Sequence, residues 1–220
     1  MKLTPNLNSD PMTQLKVIHE EIDRCRRCEP AVEGFQKPLH LDRGGPGKLL
    51  IVGQGPGRAE LRSSKAFAGQ SGTTLDSWLR AAGLNSDNPR KGVYLTSVIK
   101  CCHSSARDFD VMARNCADFL QRQMTAIKPR LVITLGRNAY LNLRFTAEDY
   151  AQALCHPLHT SRFLLVSQFG FHFWFLPWPH PSGLNRWHNA AENRQRLRDS
   201  FAFIKRLLEG DLEESQYAQV

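Results

Sequence analysis

The sequence predicts an α/β protein with a parallel-rich sheet covered by helices on both faces. Three observations carry that reading. Apolar strand patterns alternate with helical patterns along most of the chain. The strand candidates are short continuous apolar runs. Glycine or proline closes most of them.

The elements follow in order. Residues 12–27 read as a helix, with Leu15, Ile18 and Ile22 at helical spacing. Pro30 and Pro38 then interrupt regular structure. Residues 48–53 form a buried strand pattern ending at Gly53. Residues 71–82 read as a helix with Leu75, Trp78 and Leu79 on one face, stopped by Gly83. Residues 93–99 are a second strand, and 109–127 a third helix ended by Pro129. Residues 131–135 are another strand, followed by Gly136 and a helix through Leu143. Residues 163–166 and 171–176 read as two strands around a turn at Gly170. A long helix at 189–208 closes the pattern, with Gly210 as its stop. Residues 1–210 are expected to form one domain, and 211–220 a polar, acidic tail.

With 220 residues the chain can bury one sizeable core. Its formal charge of +8 favours an anionic partner such as nucleic acid. No run reaches the length of a membrane-spanning helix, and the polar N-terminus lacks a signal-peptide pattern. A cytoplasmic protein in a reducing compartment is expected, where clustered cysteines mean metal or catalysis more often than disulfides.

Four cysteines form a split pattern. Cys25 and Cys28 make a C-x-x-C pair; Cys101 and Cys116 make a second pair, about seventy residues on. Four thiolates can hold an iron–sulfur cubane or a zinc ion. Cys102 and Cys155 are left over and read as small buried hydrophobes.

Three segments at strand ends can converge on one pocket. Gly53-Gln54-Gly55-Pro56-Gly57 is a glycine loop in which backbone can approach a ligand closely. It is neither a Walker loop nor a dinucleotide fingerprint, and on its own it also fits a tight strand-exit turn. Thr96-Ser97 ends the second strand. His180-Pro181-Ser182 follows the last apolar run, with Asn185, Arg186 and His188 close behind; a lone histidine is more often a satisfied core residue. Phe67 sits on a glycine-rich loop, where an aromatic can stack a flipped base or anchor the loop to the core. Arg58, Arg62, Lys65, Lys100, Arg107, Arg186 and Arg194 lie in or near the same face.

In this order the motifs resemble the iron–sulfur branch of the uracil-DNA glycosylase superfamily, from about Cys25 to the final helix. The resemblance implies a three-layer αβα sandwich around a four-stranded, largely parallel sheet. It implies a 4Fe–4S cluster on Cys25, Cys28, Cys101 and Cys116, with Cys102 the alternate third ligand. It implies DNA containing uracil or another deaminated base as partner, a monomer, and hydrolysis of the N-glycosidic bond. His180 would steady the departing base, with Gln54 and Gly55 in the catalytic first motif. Phe67, Ser97 and Gly53 would bind the base. Ser182, Arg186, Lys65 and Gly57 would meet the DNA.

The chain departs from the pattern at three places. Gln54 and Gly55 stand where carboxylates or an amide are usual, so this motif lacks a carboxylate to orient water or face the sugar cation. Ser97 stands where an Asn normally reads the uracil edge. These changes point to relaxed base choice and a slower chemical step. They also leave open a non-catalytic DNA-binding protein, a deaminated-purine glycosylase and a structural zinc protein.

Overall fold

The computed structural model describes residues 10–32, 34, 36, 44–102, 106–143, 149–159 and 171–210. The strand expected at 163–166, its Gly170 turn and the tail at 211–220 lie outside the described residues.

Four strands form a parallel sheet: β1 (Leu49–Gly53), β2 (Val93–Ser97), β3 (Leu131–Leu135) and, last in the chain, β5 (Trp174–Trp178). Each is buried along its whole length, as strands covered on both faces must be. A two-residue strand, β4 (Leu158–His159), pairs antiparallel to β5 at the edge. The order is β2-β1-β3-β5-β4. The chain thus steps from β1 to one side and then to the other, which opens a crevice at the carboxyl ends of the strands.

Alternate residues of the strands point to opposite faces, so the sheet divides two cores. Leu50, Val52, Tyr94, Val132 and Phe175 pack under α1 (Pro11–Arg24) and α4 (Phe109–Ile127). Leu49, Ile51, Leu95, Ile133 and Trp178 pack under α3 (Gln70–Ala81) and α7 (Ala191–Glu209). The described residues also include the shorter α-helices α2 (Arg58–Ser63), α5 (Arg137–Leu143) and α6 (Tyr150–Ala153). The expected αβα sandwich is therefore the fold, with the small antiparallel strand added.

Local chemistry sets the boundaries. The Asp10 side chain caps α1 by accepting from Met12 N and Thr13 N, with Pro11 at the first helical position. Lys128 ends α4 in the left-handed region just before Pro129, and Gly210 ends α7 with φ 87°. The final parallel strand runs to Trp178 rather than stopping at Leu176. Pro177 has no N–H to give, but β4 pairs only with Trp174 and Phe175, so no ladder bond is lost there.

Candidate active site

The pocket forms where β1 and β2 end. It has a volume of about 220 Å³ and is walled by Gly53, Gly55, Gly57, Phe67, Thr96, Ser97 and His180, among others. Residues expected at the site from sequence thus meet in one cavity although up to 127 positions apart.

Each wall has a local cause. Gly53 ends β1 because a Cβ there would stand 2.9 Å from Phe67 Cζ. The ring lies against the bare backbone at the pocket floor. Phe67 itself has φ 51°, a left-handed conformation unusual for an aromatic residue. At the end of β2, the Ser97 hydroxyl donates to Ile99 O at 2.6 Å. Its proton is committed, so toward a ligand Ser97 can only accept.

His180 follows β5 and Pro179. Its Nδ1 accepts from Ser182 N at 3.2 Å, and its carbonyl accepts from Asn185 Nδ2 at 3.0 Å. With Nδ1 acting as acceptor, the neutral ring carries its proton on Nε2. Burial holds the imidazole below the usual histidine range, so this neutral form dominates at pH 7. Ser182 therefore orients the histidine through its amide.

Gln54 does not line the cavity. Its Oε1 accepts from Asn138 Nδ2 at 3.1 Å, which ties the first motif to α5. A carboxylate does reach the pocket wall, however. Glu60, on α2, lies among the lining residues. Its Oε2 accepts from Gly57 N at 2.9 Å and its Oε1 from Ala68 N at 2.8 Å.

Beside the pocket, Lys65, Arg58, Arg62 and Arg186 are exposed. Leu184 is 93% exposed on the loop between Ser182 and Arg186, an unusual place for a large apolar side chain. Lys100 does not join this basic surface. It is 2% exposed, and its Nζ donates to Thr96 Oγ1 at 2.9 Å and to the Ser97 carbonyl. Thr96 in turn donates to Gln123 Oε1, and Gln123 Nε2 donates to Tyr94 Oη. The charge is spent inward, on Thr96 and the Ser97 carbonyl.

The cysteines lie on the other side of β2. Cys25 caps the C-terminus of α1 and Cys28 sits in the turn that follows. Cys101 lies just past β2, and Cys116 on α4. None of the six cysteines is in a disulfide. Burial, then the charges of Cys116, Cys28 and Cys25, push the Cys101 thiol up to about 12. Burial likewise raises Cys116, against the pull of Lys100. Asn115 Nδ2 donates to Cys28 Sγ at 3.4 Å. Arg27 pairs with Asp118 at 2.5 Å and Arg122 with Glu21 at 2.5 Å, which joins α1 and its turn to α4. Among the described residues, no three His, Cys, Asp or Glu side chains converge as ligands of a single metal ion.

A family model described as the uracil DNA glycosylase superfamily matches residues 45–205. The chain belongs to this superfamily. The match takes in every wall of the pocket, Cys101 and Cys116; Cys25 and Cys28 precede it.

Curated relatives carry the resemblance to the branch. The chain is 34% identical over 137 residues to a type-4 uracil-DNA glycosylase of Archaeoglobus fulgidus, covering 58% of this chain and 62% of that one. It is 30% identical over 134 residues to the type-4 uracil-DNA glycosylase of Thermotoga maritima, covering 57% and 63%. It is 28% identical over 165 residues to a type-5 uracil-DNA glycosylase of Thermus thermophilus, covering 66% and 72%. The chain thus spans about three fifths of the type-4 relatives. No helix among the described residues is long and apolar enough to cross a membrane.

Two side chains, one lining the pocket and one on the loop beside it, escaped sequence analysis. Glu60 lies on a six-residue helix with no buried residue, so no apolar periodicity marks it. Leu184 is a single leucine in a polar loop; its place two residues after Ser182 was the available signal.

Proposed function

We propose that the protein removes uracil from DNA by hydrolysing its N-glycosidic bond, leaving an abasic site. The observation that carries this reading is the His180 tautomer: Ser182 N–H occupies Nδ1, and a neutral Nε2–H donor remains for the pocket that Phe67 and Ser97 also line. At about 220 Å³ the cavity is smaller than the roughly 300–1,000 Å³ of drug-sized ligand sites, which suits one base.

The target nucleotide must first leave the stack. Leu184, exposed at the loop tip, is suited to enter the vacated position as an apolar wedge, and it fits that role better than Arg186. Lys65, Arg186 and the Ser182 hydroxyl are placed to meet backbone phosphates, while the amides of Gly57 and Ser182 are already given to Glu60 Oε2 and His180 Nδ1. The flipped base would stack on Phe67. Ser97 Oγ accepts only, so it suits a base edge that offers an N–H, as uracil N3 does and cytosine N3 does not. Hypoxanthine and xanthine also carry such an edge, so relaxed base choice fits this wall.

The glycosidic bond then breaks with both electrons going to the base. His180 Nε2–H donates to the pyrimidine O2, where negative charge builds. A neutral imidazole achieves this without releasing its proton. Water adds to the sugar C1′ and gives up one proton to solvent, and the base anion takes up a proton as it leaves. Gln54 offers no charge to the sugar cation, which fits a slow chemical step.

The cysteines fit a 4Fe–4S cluster. Four thiols brought to one side of the molecule by the α1 turn, the exit of β2 and α4 supply the all-sulfur donor set that such a cluster takes. A cubane assigns one thiolate to each iron and does not need three ligands around one point. Cys25, Cys28, Cys101 and Cys116 would hold it. The cluster would supply structure, fixing the α1 turn to α4 and to the exit of β2.

The test is base release. The holoprotein is incubated with oligonucleotides bearing one uracil, hypoxanthine or xanthine, and abasic sites are cleaved with alkali. Breaks at uracil, abolished by His180→Ala, are expected. Unchanged release by that variant would sink the site assignment. DNA binding with no breaks at any base would replace the glycosylase with a recognition protein.

A further inference from the structure

We infer that Glu60 is a positioning residue that braces Phe67, acting with the Arg90–Asp76 pair. The inference rests on the stacking role proposed for Phe67, and it goes beyond that role to what holds the ring in place.

Phe67 cannot hold its own conformation. Its φ of 51° lies in a region that non-glycine residues occupy only when their surroundings impose it. Released, the residue would relax to an ordinary backbone region and carry its ring away from Gly53. The surroundings here act on three successive backbone groups. Arg90 Nη1 donates to Ala66 O at 2.6 Å, and Arg90 Nη2 to Phe67 O at 3.0 Å. Glu60 Oε1 accepts from Ala68 N at 2.8 Å. A cation thus holds the carbonyls before and at Phe67, and an anion holds the amide after it.

Both braces are themselves fixed. Arg90 Nε donates to Asp76 Oδ1 at 2.6 Å, and Nη2 to Asp76 Oδ2 at 3.2 Å, which anchors it to α3. Glu60 spends its second oxygen on Gly57 N at 2.9 Å. One carboxylate therefore links the glycine loop after β1 to the loop that carries Phe67. Gly72 closes the arrangement, because a Cβ there would stand 1.8 Å from Phe67 O. With an amide on each oxygen, Glu60 is placed to hold two loops at a fixed distance.

The experiment compares Glu60→Ala and Glu60→Gln in the wild-type and Phe67→Ala backgrounds of the holoprotein. The probe is an oligonucleotide with one 2′-fluoro-2′-deoxyuridine, whose glycosidic bond resists cleavage, measured against the unmodified strand. Thermal unfolding of each variant reports folding separately. Expected is an about 10- to 100-fold loss of preference for the probe in Glu60→Ala, with a smaller loss in Glu60→Gln, which keeps one acceptor. The double variant should lose no more than Phe67→Ala alone. On cleavable uracil DNA, Glu60→Ala should raise KM and lower kcat together, since a misplaced ring harms binding and alignment.

Equal losses from Glu60→Ala with and without Phe67 would overturn the brace, and would mean that Glu60 acts on the sugar or the fold directly. A Glu60→Gln variant indistinguishable from wild type would overturn it as well. So would a wild type with no preference for the probe. A wild type that prefers the probe yet releases no uracil would refute the glycosylase reading alone, with the brace still measured by affinity.

Discussion

Gly136 lies directly beneath His180. It has φ 84°, and a Cβ added to it would stand 3.1 Å from His180 Cβ and 3.4 Å from Cδ2. Gly136 N also donates to Trp178 O at 2.9 Å, so the loops leaving β3 and β5 are pinned side by side. The histidine rests on a residue without a side chain.

Gly136→Ala should therefore harm function more than folding. The methyl group strains a left-handed backbone and pushes the imidazole into the pocket. A stability loss of about 1–3 kcal/mol is expected from the backbone, read by chemical denaturation. Single-turnover uracil release should fall by about 100-fold, the scale of a 1 Å misplacement. Release at the wild-type rate would mean that His180 adapts freely and does not depend on this contact.

Acid should erode both stability and rate, for one reason. Burial lowers the folded-state proton affinity of His180 and of His188. An unfolded chain takes up these protons near pH 6.5, while the folded chain does so only at lower pH. Between those values the unfolded state binds more protons, so stability falls as pH falls and is fully present above pH 6.5. Protonation would also place a hydrogen on His180 Nδ1 facing Ser182 N–H. Uracil release should stay level from about pH 8 to 6.5 and decline only below. A rate that rises on acidification through this window would show that the imidazolium is the working form.

Leu184→Ala separates base extrusion from chemistry. A wedge matters only where a stack must be kept open. Release from duplex DNA should fall about tenfold, with release from a single strand unchanged. Equal losses on both substrates would move Leu184 from the wedge to the pocket.

The cysteine framework gives a spectroscopic prediction. The purified holoprotein should be brown, and Cys101→Ser or Cys116→Ser should remove the visible absorbance and the bound iron. Cys102→Ser should not. Without the group they hold, α1 and α4 keep their apolar contact and two partly exposed bidentate Arg–carboxylate pairs. A loss of about 2 kcal/mol or more is expected, or about 4–8 °C in Tm for a chain of this size. A colourless wild type containing zinc would replace the cubane with a mononuclear site.

Legibility followed burial. Helix α4 and strand β3 have the bounds expected from sequence, because their apolar residues repeat at helical spacing or fill a doubly covered strand. The pocket loops at 53–57, 96–97 and 180–182 were legible because each ends or follows such a strand, whereas the Phe67 loop follows α2 and was marked only by its aromatic among glycines. Helix α2 was not, since it buries nothing and leaves no pattern, and Glu60 was hidden with it. Lys100 was grouped with the surface cations because charge predicts exposure; Thr96 and the Ser97 carbonyl instead draw its ammonium inside. Leu184 shows the converse, an apolar residue whose exposure only the folded loop reveals.

Gln54 offers a way to strengthen the chemistry. Its Oε1 already accepts from Asn138 Nδ2, and a glutamate there can accept the same bond. Gln54→Glu thus keeps the contact to α5 and adds a negative charge between the pocket-lining Gly53 and Gly55, from where it acts through space on a cationic transition state. Single-turnover release should rise by about tenfold, with KM altered less than kcat, because the added interaction is made in the transition state rather than with the bound base. The pH profile should gain an acid limb as the new carboxyl takes up its proton. A slower variant would show that the neutral amide serves this site through its N–H donors, and that the attacking water is oriented by a group other than residue 54.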